Sequence, residues 1–422
     1  MSFDYSRPSL GLSSKKRFVH QNLYTLFRSR FPADPGAAIF IETGDGRRYC
    51  YAELERESGR YAGFLAQLGL APGERVAVQV EKSPHALFLY LACLRAGLIY
   101  VPLNPAYRRA ELDHLLGDAR PSAVIVQAAN ADRSGEIAAA RGIRHVFTLE
   151  TDGGGSLPEQ CRDTATDFAD REVATDDPAA ILYTSGTTGN PKGAMLSHGN
   201  LAANALALHR AWGFRPDDVL LHALPIFHIH GLFVACHCVL LNGSPMIFLP
   251  RFDPASVIHS LPRATVFMGV PTYYTRLLAH PDFNRAACRN IRLFTCGSAP
   301  LLAQTFEEFR VRSGYAILER YGMTETGMNT SNPLEGERRP GTVGPPLPGV
   351  SVRIVNDRDE NLPPGETGQL LVKGDNVFKG YWRLPEKTAA EFTADGWFRT
   401  GDLARMDADG YVSIVGRAKD LI

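Results

Sequence analysis

A loop rich in glycine and hydroxyl side chains is the segment with the clearest chemical potential. It spans residues 184–193, which read Thr-Ser-Gly-Thr-Thr-Gly-Asn-Pro-Lys-Gly, and it directly follows an apolar run at 179–183. Glycines let the backbone approach a ligand closely, and successive N–H groups together with hydroxyls form a cradle for anions. Lys192 adds a positive charge, so the segment predicts a polyphosphate site. The spacing is not that of a GxxxxGK[ST] loop, because Lys192 precedes a glycine.

Other segments combine residue types that could bind a nucleotide or a carboxylic acid. Residues 225–231 read Pro-Ile-Phe-His-Ile-His-Gly, and residues 319–326 read Glu-Arg-Tyr-Gly-Met-Thr-Glu-Thr. Taken alone, a histidine among apolar residues favours a neutral, buried side chain with a backbone partner. An isolated carboxylate such as Glu325 is more often a helix cap or a surface group. The function of these residues therefore depends on the pattern that they form together.

That pattern resembles the motifs of adenylate-forming enzymes, the superfamily of acyl-CoA synthetases, luciferases and nonribosomal peptide synthetase adenylation domains. The phosphate loop, the histidine motif and the Tyr-Gly-Met-Thr-Glu motif occur in the family's order, together with motifs at 297–300, 398–403 and 416–420. The resemblance covers the chain from about residue 22. It implies that a carboxylate attacks the α-phosphorus of ATP to form an acyl-adenylate and pyrophosphate. The thiol of coenzyme A then displaces AMP.

The resemblance also implies roles in nucleotide binding. Tyr321 would stack on adenine, Thr324 would hydrogen-bond the α-phosphate, and Asp402 would accept hydrogen bonds from two ribose hydroxyls. The full nucleotide-binding set implied by the motifs is Thr184, Ser185, Gly186, Thr187, Thr188, Gly189, Lys192, Ser298, Ala299, Pro300, Arg320, Tyr321, Gly322, Met323, Thr324, Asp402 and Arg417.

The remaining roles concern the metal, the reaction and the acid. Glu325 would bind Mg²⁺ with help from Thr184, because hard divalent cations prefer carboxylate and phosphate oxygens. The catalytic set implied by the motifs is Thr184, Lys192, His228, Thr324 and Glu325. The set that would contact the acid is His228, Met268, Arg276 and Ser298, with His230 as a less certain member.

Arg276 is the residue that indicates which acid is used. The run at 268–278 reads Met-Gly-Val-Pro-Thr-Tyr-Tyr-Thr-Arg-Leu-Leu, which predicts a helix that begins at Pro271 and opens towards the acid pocket. An arginine there would be costly beside a fatty acyl chain but would match a second carboxylate. The surrounding segments resemble malonyl-CoA synthetases in particular. We therefore expect a small dicarboxylic acid, malonate or methylmalonate; the open alternative is a helical arginine that faces solvent.

The elements that must position these residues alternate between strands and helices. Helices are predicted at 51–68, from Ser83-Pro84 onward, and at 109–116, 201–211, 272–279 and 301–311; strands are predicted at 75–80, 99–103, 123–126, 179–183, 219–224, 246–249, 265–268 and 293–296. This alternation predicts an α/β fold with mostly parallel sheets. Short strands at 351–355, 369–372 and 411–415 follow a Pro- and Gly-rich stretch and predict a β-rich subdomain.

Together these patterns predict the large N-terminal domain of an adenylate-forming enzyme. We expect a polar lead-in at 1–20, αβ subdomains at 21–170 and 171–332, and a distorted β-barrel-like subdomain at 333–417. Residues 418–422 resemble a hinge that continues in the family into a small C-terminal domain. That domain supplies a lysine for adenylation, so its absence would lower activity.

Composition excludes several other classes. The chain has 422 residues, 45 basic and 45 acidic side chains, 45% apolar residues and seven cysteines. Zero net charge argues against a dedicated nucleic-acid binder. The sequence shows neither a signal peptide nor a membrane span, so a cytoplasmic protein with reduced cysteines is expected. Cys236-His237-Cys238 is only a weak metal signal.

Three alternatives stay open at this stage. The chain could be a non-catalytic nucleotide-binding module, a ligase for another small acid, or an adenylation domain that loads a carrier protein. The sequence does not decide the oligomeric state.

Overall fold

The computed structural model describes residues 22–184 and 191–418. The predicted lead-in at 1–20, the loop residues Ser185, Gly186, Thr187, Thr188 and Gly189, and the hinge from 419 onward lie outside the described residues. The strands, in chain order, are β1 (Ile39–Thr43), β2 (Arg48–Cys50), β3 (Arg75–Gln79), β4 (Ile99–Pro102), β5 (Ala123–Val126), β6 (His145–Thr148), β7 (Pro178–Thr184), β8 (Lys192–Ser197), β9 (Leu220–His222), β10 (Met246–Phe248), β11 (Val266–Gly269), β12 (Leu293–Cys296), β13 (Leu318–Met323), β14 (Gly327–Ser331), β15 (Val350–Val355), β16 (Thr367–Gly374), β17 (Phe398–Met406) and β18 (Val412–Arg417).

The helices lie mainly between these strands. They are α1 (Leu23–Arg28), α2 (Tyr51–Gln67), α3 (Pro84–Arg95), α4 (Arg109–Ala119), α5 (Ala131–Ala140), α6 (Ser156–Gln160), α7 (His198–Ala211), α8 (His237–Asn242), α9 (Pro254–Ser260), α10 (Pro271–Leu278), α11 (Ala303–Ser313) and α12 (Pro385–Ala390). A π-helix covers His230–Cys236, and short 3₁₀ turns cover Ala128–Asn130 and Leu261–Arg263.

Two largely parallel sheets and one antiparallel sheet form the fold. The six-stranded sheet has the order β6-β5-β3-β4-β7-β8, and the eight-stranded sheet has the order β14-β13-β12-β11-β9-β10-β1-β2. In both, the inner pairs are parallel and antiparallel pairs occur at the edges. The four-stranded sheet β15-β16-β17-β18 is antiparallel throughout. The predicted α/β class is therefore confirmed.

Helix α3 shows how local sequence signals set the elements. Ser83 accepts a hydrogen bond from the backbone N–H of Ala86, and Pro84 occupies the first helical turn. The chain leaves the helix at Gly97, whose φ of 67° is left-handed. Every turn of α3 is buried, and its side chains belong to the largest apolar core, which also includes residues of both mainly parallel sheets. This helix is thus a central layer of the molecule.

The strand order of the sheets bears on two predictions about organisation. The segment 21–170 contributes β1 and β2 to the eight-stranded sheet, whereas β7 and β8 of the segment 171–332 belong to the six-stranded sheet. Hydrophobic patterns identify strands but not their neighbours, so contiguous subdomain boundaries stay a prediction. The β-rich subdomain was expected to be barrel-like; within the described residues it is an open four-stranded sheet.

Two searches bear on membranes and metals. No described helix is both long and apolar enough to cross a membrane. The described residues contain no group of three His, Cys, Asp or Glu side chains placed to hold a metal ion, and this includes the Cys236-His237-Cys238 segment. All seven cysteines are free thiols.

A buried ion pair lies at the amino ends of three strands of the eight-stranded sheet. The Asp218 carboxylate accepts hydrogen bonds from Arg292 Nε at 2.7 Å, from Thr265 Oγ1 at 2.8 Å and from the backbone N–H of Arg215 at 2.7 Å. Burial acts to raise the pKa of Asp218, but these hydrogen bonds outweigh it and hold the pKa below its ordinary value. The pair therefore links β9, β11 and β12 at their amino ends.

Replacing Asp218 by alanine should lower the free energy of unfolding by about 3 kcal/mol, because Arg292 is left without its carboxylate. The contribution of Asp218 is present above its unfolded-state pKa and is lost as pH falls through its lower folded-state pKa. The difference between wild type and variant should therefore shrink at strongly acidic pH. Urea unfolding at several pH values measures it.

Asp217→Ala is the matched control, because this neighbouring carboxylate is exposed. Equal destabilisation by the two variants at neutral pH would contradict the role given to Asp218.

Candidate active site

A cavity of about 520 Å³ lies where the carboxyl ends of β9, β11, β12 and β13 meet the four-stranded sheet. Ligands of open α/β sheets bind at this edge. Residues from all three sheets line the cavity, among them Thr184, Lys192, Pro225, His228, His230, Gly231, Ser298, Gly322, Met323, Thr324, Glu325, Tyr381, Glu391 and Arg417. The structure thus brings together most of the motifs that the sequence singled out.

The phosphate end of the cavity is built on the β7–β8 hairpin. Thr184 ends β7 and pairs with Lys192, which begins β8. The Lys192 ammonium lies 4.6 Å from the ring centroid of Tyr381 and 3.7 Å from Glu391 Oε1. An amine held by an aromatic face and a weak ion pair is available to a phosphate.

Glu325 faces this lysine from the turn between β13 and β14. Its Oε1 accepts a hydrogen bond from the Tyr381 hydroxyl at 3.0 Å, and the residue is 6% exposed. Burial raises the pKa of Glu325, while the Tyr381 hydrogen bond and the charge of Lys192 act in the opposite direction. A carboxylate at the cavity wall fits a Mg²⁺ ion that takes its other ligands from phosphates and water.

The ribose end of the cavity joins the eight-stranded and four-stranded sheets. The Tyr321 hydroxyl donates to Asp402 Oδ2 at 2.5 Å, and Arg417 Nε lies 3.5 Å from Asp402 Oδ1. Burial raises the pKa of Asp402, and its two partners limit that increase. The resemblance implies that Tyr321 stacks on adenine and that Asp402 binds the ribose. The structure places Asp402 in contact with both Tyr321 and Arg417, and the predicted roles stay predictions. The predicted adenine residues Ser298, Ala299 and Pro300 are all exposed, and of these Ser298 lines the cavity.

The acid end of the cavity contains the two histidines. His228 lines the cavity, and partial burial lowers its pKa. His230 begins the π-helix and is 4% exposed, with Nδ1 at 3.5 Å from Ser298 Oγ. Burial and the nearby charge of Arg320 keep the pKa of His230 well below its ordinary value, so the ring is neutral. Ser298 itself has a left-handed φ of 72°, which is uncommon for a residue with a side chain.

Two further residues hold the histidine segment in place, and sequence analysis missed both. Lys82 Nζ lies 2.8 Å from His222 Nδ1 and 2.9 Å from the His222 carbonyl oxygen. On its other side, His222 Nε2 donates to the Gly231 carbonyl at 2.9 Å. Burial lowers the pKa of Lys82 well below its ordinary value. In the sequence, Lys82 and His222 are recognisable only as polar residues at or just after the end of a buried strand.

Tyr381 and Glu391 also line the cavity and were not predicted. Both lie in the segment between β16 and β17, outside the motifs that the sequence analysis singled out. An aromatic and an acidic residue without a motif carry no signal in a single sequence.

Seven predicted site residues of the described chain do not line the cavity. Four of them, Tyr321, Asp402, Ala299 and Pro300, are described above, and the others are Met268, Arg276 and Arg320. Met268 is buried in β11 within the main apolar core. Arg276 is exposed, and its guanidinium lies 5.0 Å from the ring centroid of Phe252. Arg320 is buried beside Gly297, because a Cβ atom added to that glycine would lie 2.6 Å from the guanidinium carbon. The roles predicted for these residues stay predictions.

Comparisons with known proteins identify the family of the chain. The profile of a family described as AMP-binding enzyme matches residues 27–382. ATP-bound MatB from Rhodopseudomonas palustris has a similar structure, with a TM-score of 0.93 and 52% identity over 96% of this chain and 80% of that one.

Two curated relatives match over most of the chain. A feruloyl-CoA synthase from Amycolatopsis sp is 38% identical over 89% of this chain and 75% of its own length. A malonate–CoA ligase from Arabidopsis thaliana is 36% identical over 88% of this chain and 67% of its own length. The chain therefore belongs to the AMP-binding enzyme family, as an AMP-forming acid–CoA ligase.

Proposed function

We propose that the chain activates malonate, or methylmalonate, as an acyl-adenylate and transfers the acyl group to coenzyme A. A carboxylate oxygen attacks the α-phosphorus while the bond to pyrophosphate breaks. The CoA sulfur then attacks the acyl carbon, and AMP leaves. The observation that carries the proposal is that Lys192, Glu325 and His228 line one cavity.

The residues of the chain contribute positioning and charge. Thr184, Lys192 and Thr324 would hold phosphate oxygens, since charge-assisted hydrogen bonds stabilise the charge that develops on them. Glu325 would hold Mg²⁺, which neutralises further phosphate charge when bound. Tyr321, Asp402 and Arg417 would fix the adenosine. His228 would orient the attacking carboxylate.

The choice of a small dicarboxylic acid has two supports. Malonate–CoA ligase is the printed activity of one relative, although feruloyl-CoA synthase is the activity of another. In addition, His230 and Ser298 line the acid end of the cavity, and the buried Arg320 lies next to them behind the cavity wall. These polar groups favour an acid with a second charged group over an acid with an aromatic or alkyl chain.

A panel of acids tests the proposal. With Mg²⁺ and an ATP analogue that resists cleavage between the α- and β-phosphates, malonate should raise the unfolding temperature of the chain. At about 100 times its dissociation constant, a ligand stabilises the folded state by about 2.7 kcal/mol. Acetate, octanoate and ferulate at equal concentration should give smaller shifts. A larger shift with any of the three than with malonate would refute the assignment.

The pH dependence of nucleotide binding tests Glu325. Because its pKa is raised, the carboxylate should protonate at a higher pH than an ordinary glutamate, and the Mg²⁺-dependent part of ATP-analogue affinity should fall as pH decreases through that range. Glu325→Gln should lower the affinity about 10- to 100-fold at neutral pH and remove this pH dependence.

Calorimetric titrations with Mg²⁺ and with EDTA measure both effects. Exposed Glu386, changed to glutamine, is the control. If Glu325→Gln kept the full benefit of Mg²⁺, Glu325 would not be the metal ligand.

A further inference from the structure

Tyr381 contacts both charged groups at the phosphate end of the cavity. Its hydroxyl donates to Glu325 Oε1 at 3.0 Å, and the Lys192 ammonium lies 4.6 Å from the centroid of its ring. Lys192 begins β8 in the six-stranded sheet, whereas Glu325 lies between β13 and β14 of the eight-stranded sheet. One side chain therefore links the two groups that would hold phosphate and Mg²⁺.

The surroundings of Tyr381 fix its position. The residue is 4% exposed and belongs to the main apolar core. Its ring packs edge-on against Phe378, with the two centroids 4.9 Å apart. Its backbone N–H donates to Thr388 Oγ1 at 2.9 Å, and the residue pairs with Ala194 of β8. Because backbone and ring are both held, the ring face and the hydroxyl are oriented before any ligand binds.

The two contacts use different parts of the side chain. The face of an aromatic ring is electron-rich and attracts an ammonium, whereas the hydroxyl of a protonated phenol is a donor. Burial and the negative charge of Glu325 raise the pKa of Tyr381 well above its ordinary value, so the hydroxyl keeps its proton. A neutral phenol thus orients Lys192 and Glu325 and leaves both charges available to ligands.

The hydroxyl is not needed to fill the core. The ring of Tyr381 packs against Phe378, which packs in turn against Phe392 and Phe398. A phenylalanine at position 381 would keep these ring contacts, and a buried hydroxyl is costly unless it is hydrogen-bonded. The hydrogen bond to Glu325 therefore points to a role of the hydroxyl at this carboxylate.

Glu391 is a poorer candidate for positioning Lys192. Its Oε1 lies 3.7 Å from Lys192 Nζ and 3.3 Å from Lys387 Nζ, so two lysines share one carboxylate oxygen. Both ion pairs are partly exposed, and such pairs contribute little and are screened by salt. A carboxylate beside the lysine also opposes the binding of a phosphate. The buried ring of Tyr381 is therefore the fixed element beside Lys192.

We propose that Tyr381 is a positioning residue of the nucleotide site, in which the ring holds Lys192 for phosphate oxygens and the hydroxyl orients the Glu325 carboxylate for Mg²⁺. This inference rests on the nucleotide roles of Lys192 and Glu325 in the proposed function, and it does not depend on which acid is used. The two ends of the side chain make separable contributions to nucleotide binding. The hydroxyl contributes only when Mg²⁺ is present, and the ring contributes with or without the metal.

Two substitutions in the full chain separate these contributions. Tyr381→Phe removes the hydroxyl and keeps the ring, and Tyr381→trifluorophenylalanine also weakens the negative charge of the ring face at nearly the same shape. Calorimetry measures the affinity of each variant for the ATP analogue with Mg²⁺ and with EDTA. Tyr381→Phe should lower the affinity about 10-fold with Mg²⁺ and leave it unchanged with EDTA, because the metal-binding carboxylate loses its donor. The fluorinated variant should bind about 5-fold more weakly than Tyr381→Phe in both conditions.

Tyr411→Phe is the matched control and should bind as the wild type does. The Tyr411 hydroxyl donates to the Glu337 carbonyl oxygen at 3.0 Å, and the residue does not line the cavity. If Tyr381→Phe lowers the affinity equally with Mg²⁺ and with EDTA, or leaves it unchanged with Mg²⁺, the role given to the hydroxyl is wrong. Equal affinities of the Tyr381→Phe and fluorinated variants would overturn the role of the ring. A wild-type chain that does not bind the analogue at all would instead refute the proposed function.

Discussion

The site depends on a short run of backbone hydrogen bonds that joins all three sheets. Residues 378–382 pair with the outer edge of β8 through Lys379 N–H to the Met195 carbonyl, Met195 N–H to the Gly380 carbonyl and Trp382 N–H to the Gly193 carbonyl. The same segment donates from Phe378 N–H to the Glu325 carbonyl at 2.7 Å. It therefore fixes Lys192 and Glu325 relative to each other, although they belong to different sheets. These hydrogen bonds therefore hold the two sides of the phosphate end of the cavity together.

The elements that the sequence predicts well are those with local signals. Strand β5 has the predicted bounds, and α3 begins at its serine cap and ends before its glycine, because both rest on side chains next to the backbone they satisfy. The pairing of β1 with β10 joins residues some 200 positions apart in sequence, and no local pattern contains such a contact. The π-helix at His230–Cys236 cannot be predicted from the sequence either, because a run of apolar residues looks the same in an α-helix and in a π-helix.

The candidate site shows the same division. Its motif residues are predictable as a set, because their types and order are distinctive, and the cavity collects them. The direction in which a side chain points is harder to predict from the sequence. In α10 the buried face consists of Tyr274, Leu277 and Leu278, and Arg276 lies off that face. The helical spacing of the apolar residues in α10 therefore predicts that Arg276 is exposed, whereas the family resemblance predicts that it faces the acid pocket. Lys82 and His222 meet only because two sheets pack together, so neither sequence neighbourhood reveals the pair.

The close approach of β12 and β13 at Gly297 constrains what position 297 can hold. Any side chain there would collide with the Arg320 guanidinium. A Cβ atom would also lie 2.7 Å from the Arg320 backbone carbonyl oxygen, and that contact does not depend on the side chain at position 320. A change at position 320 alone therefore does not open position 297 to a side chain. Variation beside Ser298 has to come from residue 320 and not from residue 297, unless the two strands move apart.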